Sequence, residues 1–235
     1  MNRAIKFSGA AMAALMLVSA SADEIELAEE EGAYGWTPIA VSLASPVQLP
    51  WGINRWDVFG LDLGIFYNDS PKVYGLDVAL ATTTRDTFRG LAASGVFNYA
   101  SKDVYGIRAT LGGNLCRGTT YGADFGGVGL HKNIYGLDTE LVCGVQENIC
   151  GAQISLIANV TMNESCGATI SGANYAKTAY GAQVGFLYNH AEELHGCQIA
   201  IVNFAKNCVW GFQIGLVNII TSNVVKVLPI VNGFF

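Results

Sequence analysis

The residue types best suited to chemistry crowd into one run, HAEELHGC, which holds His190, Glu192, Glu193, His195 and Cys197. Two imidazoles and a thiol so close together are zinc-ligand types. The spacing is not that of an HExxH helix, and His195 fills a slot that elsewhere holds Tyr or Trp, so an aromatic role is the simpler one. His131 stands alone on a polar connecting segment, and no Ser-His-Asp or Cys-His set can be assembled. The glycines lack the strand-to-helix context of a phosphate loop. Paired carboxylates lining a groove, as a glycosidase needs, cannot be located either. The expectation is a protein without catalytic, cofactor-binding or metal-ligating residues, and not an enzyme.

The elements that would position any such residues repeat down the chain. An opening glycine recurs at Gly60, Gly75, Gly90, Gly106, Gly122, Gly136, Gly151, Gly167, Gly181, Gly196 and Gly211, at intervals of 14 to 16 residues. The clearest copy is WGFQIGLVN, Trp210 to Asn218. Aligned on the glycine, the unit reads aromatic, Gly, apolar, Asp or Gln, apolar, small, apolar, apolar, Asn. Period-two alternation of this kind marks a strand. A fixed period marks an array of one small unit. The fold class is all-β, with about eleven units of ~15 residues.

One face of each strand is apolar, as in Leu61, Leu63 and Ile65, or Phe212, Ile214 and Leu216. That face is expected to form the core or to meet lipid. The other face carries small residues and a polar series at the second position after the glycine: Asp62, Asp77, Asp138, Gln153, Gln183, Gln198 and Gln213. The expectation for this series is an outward ladder of mutually hydrogen-bonded side chains, or an interaction face for a polysaccharide, a lipid surface or a sister protein. Asn68, Asn98, Asn114, Asn159, Asn174, Asn189, Asn203 and Asn218 follow the glycine by seven or eight residues. Asn suits either a left-handed corner or a stacked amide ladder.

Two corners and two short strands per unit would close one coil of a narrow parallel β-solenoid, and eleven coils at ~4.8 Å would stack to about 50 Å. The alternative is an antiparallel outer-membrane-type barrel with apolar residues facing lipid. Low charge and the terminal VLPIVNGFF favour the barrel. Against it, odd and even copies look alike, whereas hairpin halves would differ. In the solenoid, Cys150 and Cys166 both precede the opening glycine of consecutive coils, which makes them the candidate disulfide.

The ends differ from the array. Arg3, Lys6, an apolar run from Gly9 to Ala20 and Ala20-Ser21-Ala22 read as a signal peptide over residues 1–22. Its removal takes two positive charges and moves the formal net charge from −6 to −8. Residues 23–35 form an acidic leader with no calcium-ligand geometry. Residues 36–57 are expected to cap the array (58–220), and 221–235 to form a C-terminal capping strand. Only 14% of the residues are charged while 51% are hydrophobic, so either few faces meet water or some face meets a membrane or a partner. An acidic chain without a basic patch makes nucleic acid an improbable partner. Six cysteines in an exported chain fit an oxidising compartment.

GAQVGFLYN, GCQIAIVNFA, GFQIGLVN and LPIVNGFF resemble a family of bacterial surface-repeat proteins built from tandem G-x-Q-[IL]-G-[LI]-[VI]-N units. The resemblance spans roughly Asp57 to Phe235 and weakens at Gly106 and Gly122, where Arg108 and Asp124 replace Gln. It implies an exported protein of the envelope of a Gram-negative-type bacterium, and carries no catalytic residues. The function read from the sequence is a structural or interaction role at the cell envelope or surface, the alternative being a barrel pore or scaffold. Candidate partners are an envelope component, a lipid surface or a sister protein. The sequence points to no small-molecule ligand.

Overall fold

The opening glycines dictate the coil. All eleven adopt positive φ, between 111° and 149°, a region that residues with a Cβ avoid. They also stack: a Cβ added at Gly75, Gly90 or Gly106 would strike the carbonyl oxygen of the glycine one coil earlier. The glycine is therefore required twice, for its dihedral and for the close approach of neighbouring backbones.

In a computed structural model, which describes residues 35–51 and 53–234, this unit winds into a β-solenoid. The expected signal peptide, and the acidic leader apart from Gly35, lie outside the described residues. The strands are β1 (Gly35–Ala44), β2 (Val47–Leu49), β3 (Trp56–Ser70), β4 (Val73–Thr84), β5 (Phe88–Ala100), β6 (Val104–Thr110), β7 (Gly113–Ser155), β8 (Ala158–Ile199), β9 (Val202–Ile220) and β10 (Val227–Phe234). β7 and β8 each run through several coils without a break. A short 3-10 turn, Ile53–Arg55, precedes β3.

Successive coils pair in parallel and in register. Val58, Gly60 and Asp62 of β3 face Val73, Gly75 and Asp77 of β4, and the same alignment joins β8 to β9 through Gly196↔Gly211 and Gln198↔Gln213. Parallel pairing excludes the antiparallel barrel. The direction reverses only at the two ends of the sheet, where β2 runs antiparallel to β1 and β10 antiparallel to β9.

The two faces are the reverse of the expectation. Asp62, Asp77, Asp138, Gln153, Gln183, Gln198 and Gln213 are all buried, whereas Leu61, Leu63, Ile65, Ile214 and Leu216 are exposed. The polar series is an interior ladder, not an outward one, and forms no outer face for a polysaccharide, a lipid surface or a sister protein. The reason lies in strand parity. Val58 and Val73, two residues before their glycines, are also fully buried. A strand that turns Val58 inward turns Asp62 inward with it.

Four kinds of inward position recur in each coil. Two before the glycine sits, in most coils, an apolar residue: Val58, Val73, Phe88, Val104, Ile134, Ile149 and Leu194 are buried, while Thr120 and Ser165 hold the place before Gly122 and Gly167. In the last copy Cys208 takes this place, because a bulge pairs Leu194 with Cys208 and His195 with Trp210 and leaves Val209 exposed. Two after the glycine sits the Asp or Gln, and further on the Asn. Two residues beyond the Asn comes a final column that includes Ser70, Thr84, Ala100, Cys116, Ala191 and Ile220.

The Asn column is a ladder and not a set of left-handed corners. Among the described residues, Ile230 alone of the non-glycine residues has positive φ. Asn159, Asn174, Asn189 and Asn203 each donate through Nδ2 to the Oδ1 of the next Asn in the series, at 2.8 to 3.1 Å, ending at Asn218. Each amide also holds backbone. Asn189 Nδ2 donates to the carbonyls of Gln183 at 2.9 Å and Ile199 at 3.0 Å. A narrow coil leaves carbonyls pointing inward at its bends, and Asn supplies the buried donors they require.

Candidate functional site

The apolar parts of the interior lie towards the two ends. One cluster gathers Val58, Val73, Phe88 and Val104, and the other Ala176, Ala179, Leu194, Cys208 and Ile220. Between them, beside the buried Ile134 and Ile149, the filling is largely polar and charged, and there the structure concentrates its chemistry.

Arg108 and Asp124 stand two residues after Gly106 and Gly122, on adjacent coils in register. Arg108 donates from Nε to Asp124 Oδ1 at 2.9 Å and from the second guanidinium nitrogen to Oδ2 at 2.6 Å. Its remaining nitrogen reaches the Leu115 carbonyl at 3.1 Å. Burial opposes charge on both groups. The bidentate pairing outweighs it, so the Asp124 carboxyl is held below its usual range and Arg108 above its own.

His131, Asp138 and Glu140 lie next to this pair. One donor atom from each comes within 4.8 Å of the others. His131 is not on an exposed connecting segment: it belongs to β7 and points inward, in the column that Ser70 and Thr84 occupy elsewhere. Its Nδ1 lies 3.4 Å from Asp124 Oδ2 and its Nε2 3.8 Å from Asp138 Oδ1. Neither nitrogen makes a hydrogen bond. Asp138 Oδ1 and both Glu140 oxygens have no partner in good hydrogen-bond geometry, although the Glu140 carboxyl faces that of Asp138 and the Asn114 amide. Burial pushes the His131 imidazole down to about 4, against the pull of Asp124. Burial, then the Asp124 charge, pushes Asp138 up to about 7. Burial, then the Asp138 charge, pushes Glu140 up to about 9.

Three glycines make room for these side chains. Gly129 and Gly144 occupy the Asn column in their coils, so the Asn ladder is interrupted there. A Cβ at Gly129 would lie 2.7 Å from Glu140 Oε1 and 2.9 Å from His131 Nε2. One at Gly144 would lie 2.8 Å from Asp138 Oδ2, and one at Gly126 2.7 Å from Glu140 Oε2. Above the cluster, Gln153 donates to Asp138 Oδ2 at 3.1 Å and pairs reciprocally with Gln146.

The other expected residues are placed as follows. Asp62 and Asp77 stack in register. Ser70 donates to Asp62 Oδ2 at 2.7 Å and Asn68 donates to Asp77 Oδ1 at 2.7 Å. Burial pushes Asp62 up to about 6; burial and then the Asp62 charge push Asp77 well above the usual range. Gln183, Gln198 and Gln213 form a ladder with 2.7 Å bonds. Cys150 and Cys166 face each other across adjacent coils. Both are free and exposed, and their mutual contact pushes the Cys166 thiol up.

The HAEELHGC run holds no metal-ligand constellation. The His190 ring lies between those of Tyr175 and Phe204, each 4.9 Å away. His195 stacks on Tyr180 at 4.5 Å, which is the aromatic role read from its slot. The outer aromatic column continues through Tyr105, Tyr121 and Tyr135 at 5.0 and 5.3 Å. These rings lie face to face. Asn159, in an apparent glycosylation sequon, is buried in the ladder.

Arg108, Asp124 and Glu140 were not singled out by sequence reasoning as members of a site. Counting from the stacked glycines places all three inward, since each lies an even number of residues after one. No protein-family model, curated protein or solved structure matches this chain at a significant level.

Proposed function

We propose that this is an exported cell-envelope or surface protein with a non-catalytic role as a scaffold, engaging its surroundings through the apolar outer face of the coils. The observation that carries this reading is the reversed distribution of residues. Leu141, Leu156, Phe186 and Leu216 are 65 to 76% exposed, and they recur at the same bend of their coils. Monomeric soluble proteins rarely leave more than a few hundred Å² of contiguous apolar surface open to water. A face that repeats from coil to coil calls for a hydrophobic neighbour in the envelope. The signal-peptide pattern and the resemblance to surface-repeat proteins support the same reading.

The test is fractionation of cells that express the full chain, with and without Leu156→Lys, Phe186→Lys and Leu216→Lys together. The native protein is expected in the envelope fraction. The triple variant, folded by circular dichroism because its changes lie outside the coil, is expected to be released from it. Recovery of native protein in the cytosol, or unchanged envelope association of the folded variant, overturns the proposal.

A further inference from the structure

The geometry points to a divalent first-row metal ion bound inside the solenoid by His131, Asp138 and Glu140. The three donors come from consecutive stretches of β7 and converge in the polar middle of the core. Their types suit such an ion: one imidazole and two carboxylates match zinc and its neighbours in the first transition row. Donors at ~2.1 Å from an ion stand roughly 3 to 4 Å apart. Spacings within 4.8 Å reach that range by small side-chain rotations.

The second observation is the shortage of well-placed partners. His131 is fully buried and both of its nitrogens lack a hydrogen bond, as do both Glu140 oxygens and Asp138 Oδ1. Buried polar groups are otherwise satisfied almost without exception, and an unpaired carboxylate is among the costliest groups to bury. Elsewhere the Arg108–Asp124 pair and most of the two ladders are satisfied, and atoms left over there, such as Asn159 Oδ1, Gln183 Nε2 and Gln213 Oε1, belong to neutral amides, whereas here five atoms of ionisable groups are left over together. The charges also close. Arg108 and Asp124 cancel, and once ionised by the incoming ion the Asp138 and Glu140 carboxyls, with a neutral imidazole, would balance its two positive charges.

The third observation is space. Asn holds the ladder position in most coils, but Gly129 and Gly144 hold it in the two coils around the cluster. The side chains removed there open the volume into which Glu140 and His131 project. Because the interior is closed by packed strands, the ion enters as the coils form, so binding and folding are coupled.

The experiment uses the full chain, unfolded in EDTA and refolded with Zn²⁺, with Co²⁺, or with EDTA alone. Bound metal is read by mass spectrometry, coordination by the visible Co²⁺ spectrum, and stability by thermal melting. The inference expects one ion per chain after removal of loosely held metal, Co²⁺ bands of a nitrogen–oxygen site, and a higher melting temperature for the metal-loaded form. His131→Gln and Glu140→Gln are each expected to lower retained metal at least tenfold, while His195→Gln retains it. Native protein that refolds in EDTA to the same melting temperature and binds no ion overturns the inference. That result would mean the carboxyls are neutralised by a proton. Equal retention by the His131 and Glu140 variants overturns it as well, by placing the ion elsewhere. If both variants fail to fold, the stoichiometry and Co²⁺ spectrum of the native chain still decide.

Discussion

Asn189 shows how much one amide does in this interior. Its Nδ2 serves Asn203 and two backbone carbonyls, and its Oδ1 accepts from Asn174. Replacing it with Ala removes the side-chain donor from those two carbonyls and one acceptor from Asn174, whose amide keeps only the Val184 carbonyl. An orphaned buried polar group costs about 1–3 kcal/mol, so Asn189→Ala is expected to lower stability by at least that much in chemical denaturation. A loss below about 0.5 kcal/mol would show that the ladder is dispensable. The stacked carboxyls of Asp62 and Asp77 give a pH signature. Both folded-state values lie above the ordinary aspartate value, Asp62 at about 6. Their protonated forms are therefore favoured by folding. The associated stability is full below about pH 4 and is lost as pH rises through about 6 and beyond, by up to ~1.4 kcal/mol per pH unit for each proton released. Asp77→Asn removes the repulsion and keeps an acceptor for Asn68. It is expected to stabilise the protein more at pH 8 than at pH 5, as read by melting temperature. An equal shift at both values would remove this pair from the pH dependence.

At the level of the coil, the opening glycine decides whether two turns can stack at all. Gly151 has φ of 145°, and a Cβ on it would press on the Gly136 carbonyl. Gly151→Ala adds a backbone strain of about 1–3 kcal/mol to that collision. A drop in melting temperature well beyond that of an exposed change such as Lys177→Ala is expected, and parity between the two would overturn the account. The period, the all-β class and the parallel stacking are legible in the sequence because the glycine recurs in every copy. Which face lies inside is harder to read. Alternation separates Leu61 from Asp62 but does not say which is buried, and the habit of burying the aliphatic row is wrong for a coil this narrow. Val58 and Val73 held the correct signal, since they share the parity of Asp62 and Asp77. The His131 cluster is less legible still, because residues that meet across coils are separated by lengths that vary from copy to copy. Only the glycine count brings His131, Asp138 and Glu140 into one place.

Across the described residues, polar ladders run through the interior, apolar clusters lie towards its two ends, and the Arg108–Asp124 pair and the His131 cluster gather in the middle. The charged middle is what gives one group of coils a property that the others lack. The outer surface is more uniform, with aliphatic rows and a stacked aromatic column broken where Cys150 and Cys166 stand. A body with a polar inside and an apolar outside inverts the usual arrangement of a water-soluble domain. The inside is hydrogen-bonded from coil to coil.

Strict register between neighbours also limits how such a gene can change. Each coil touches only the coil before and after it, and every column depends on glycine meeting glycine. Duplication or loss of one whole unit leaves each surviving contact intact and shifts the far end by a single strand spacing. Loss of an odd number of residues within a strand exchanges its inner and outer faces. Between the antiparallel strands β2 and β10, the length of the molecule is therefore free to vary in steps of one repeat, and in no smaller step.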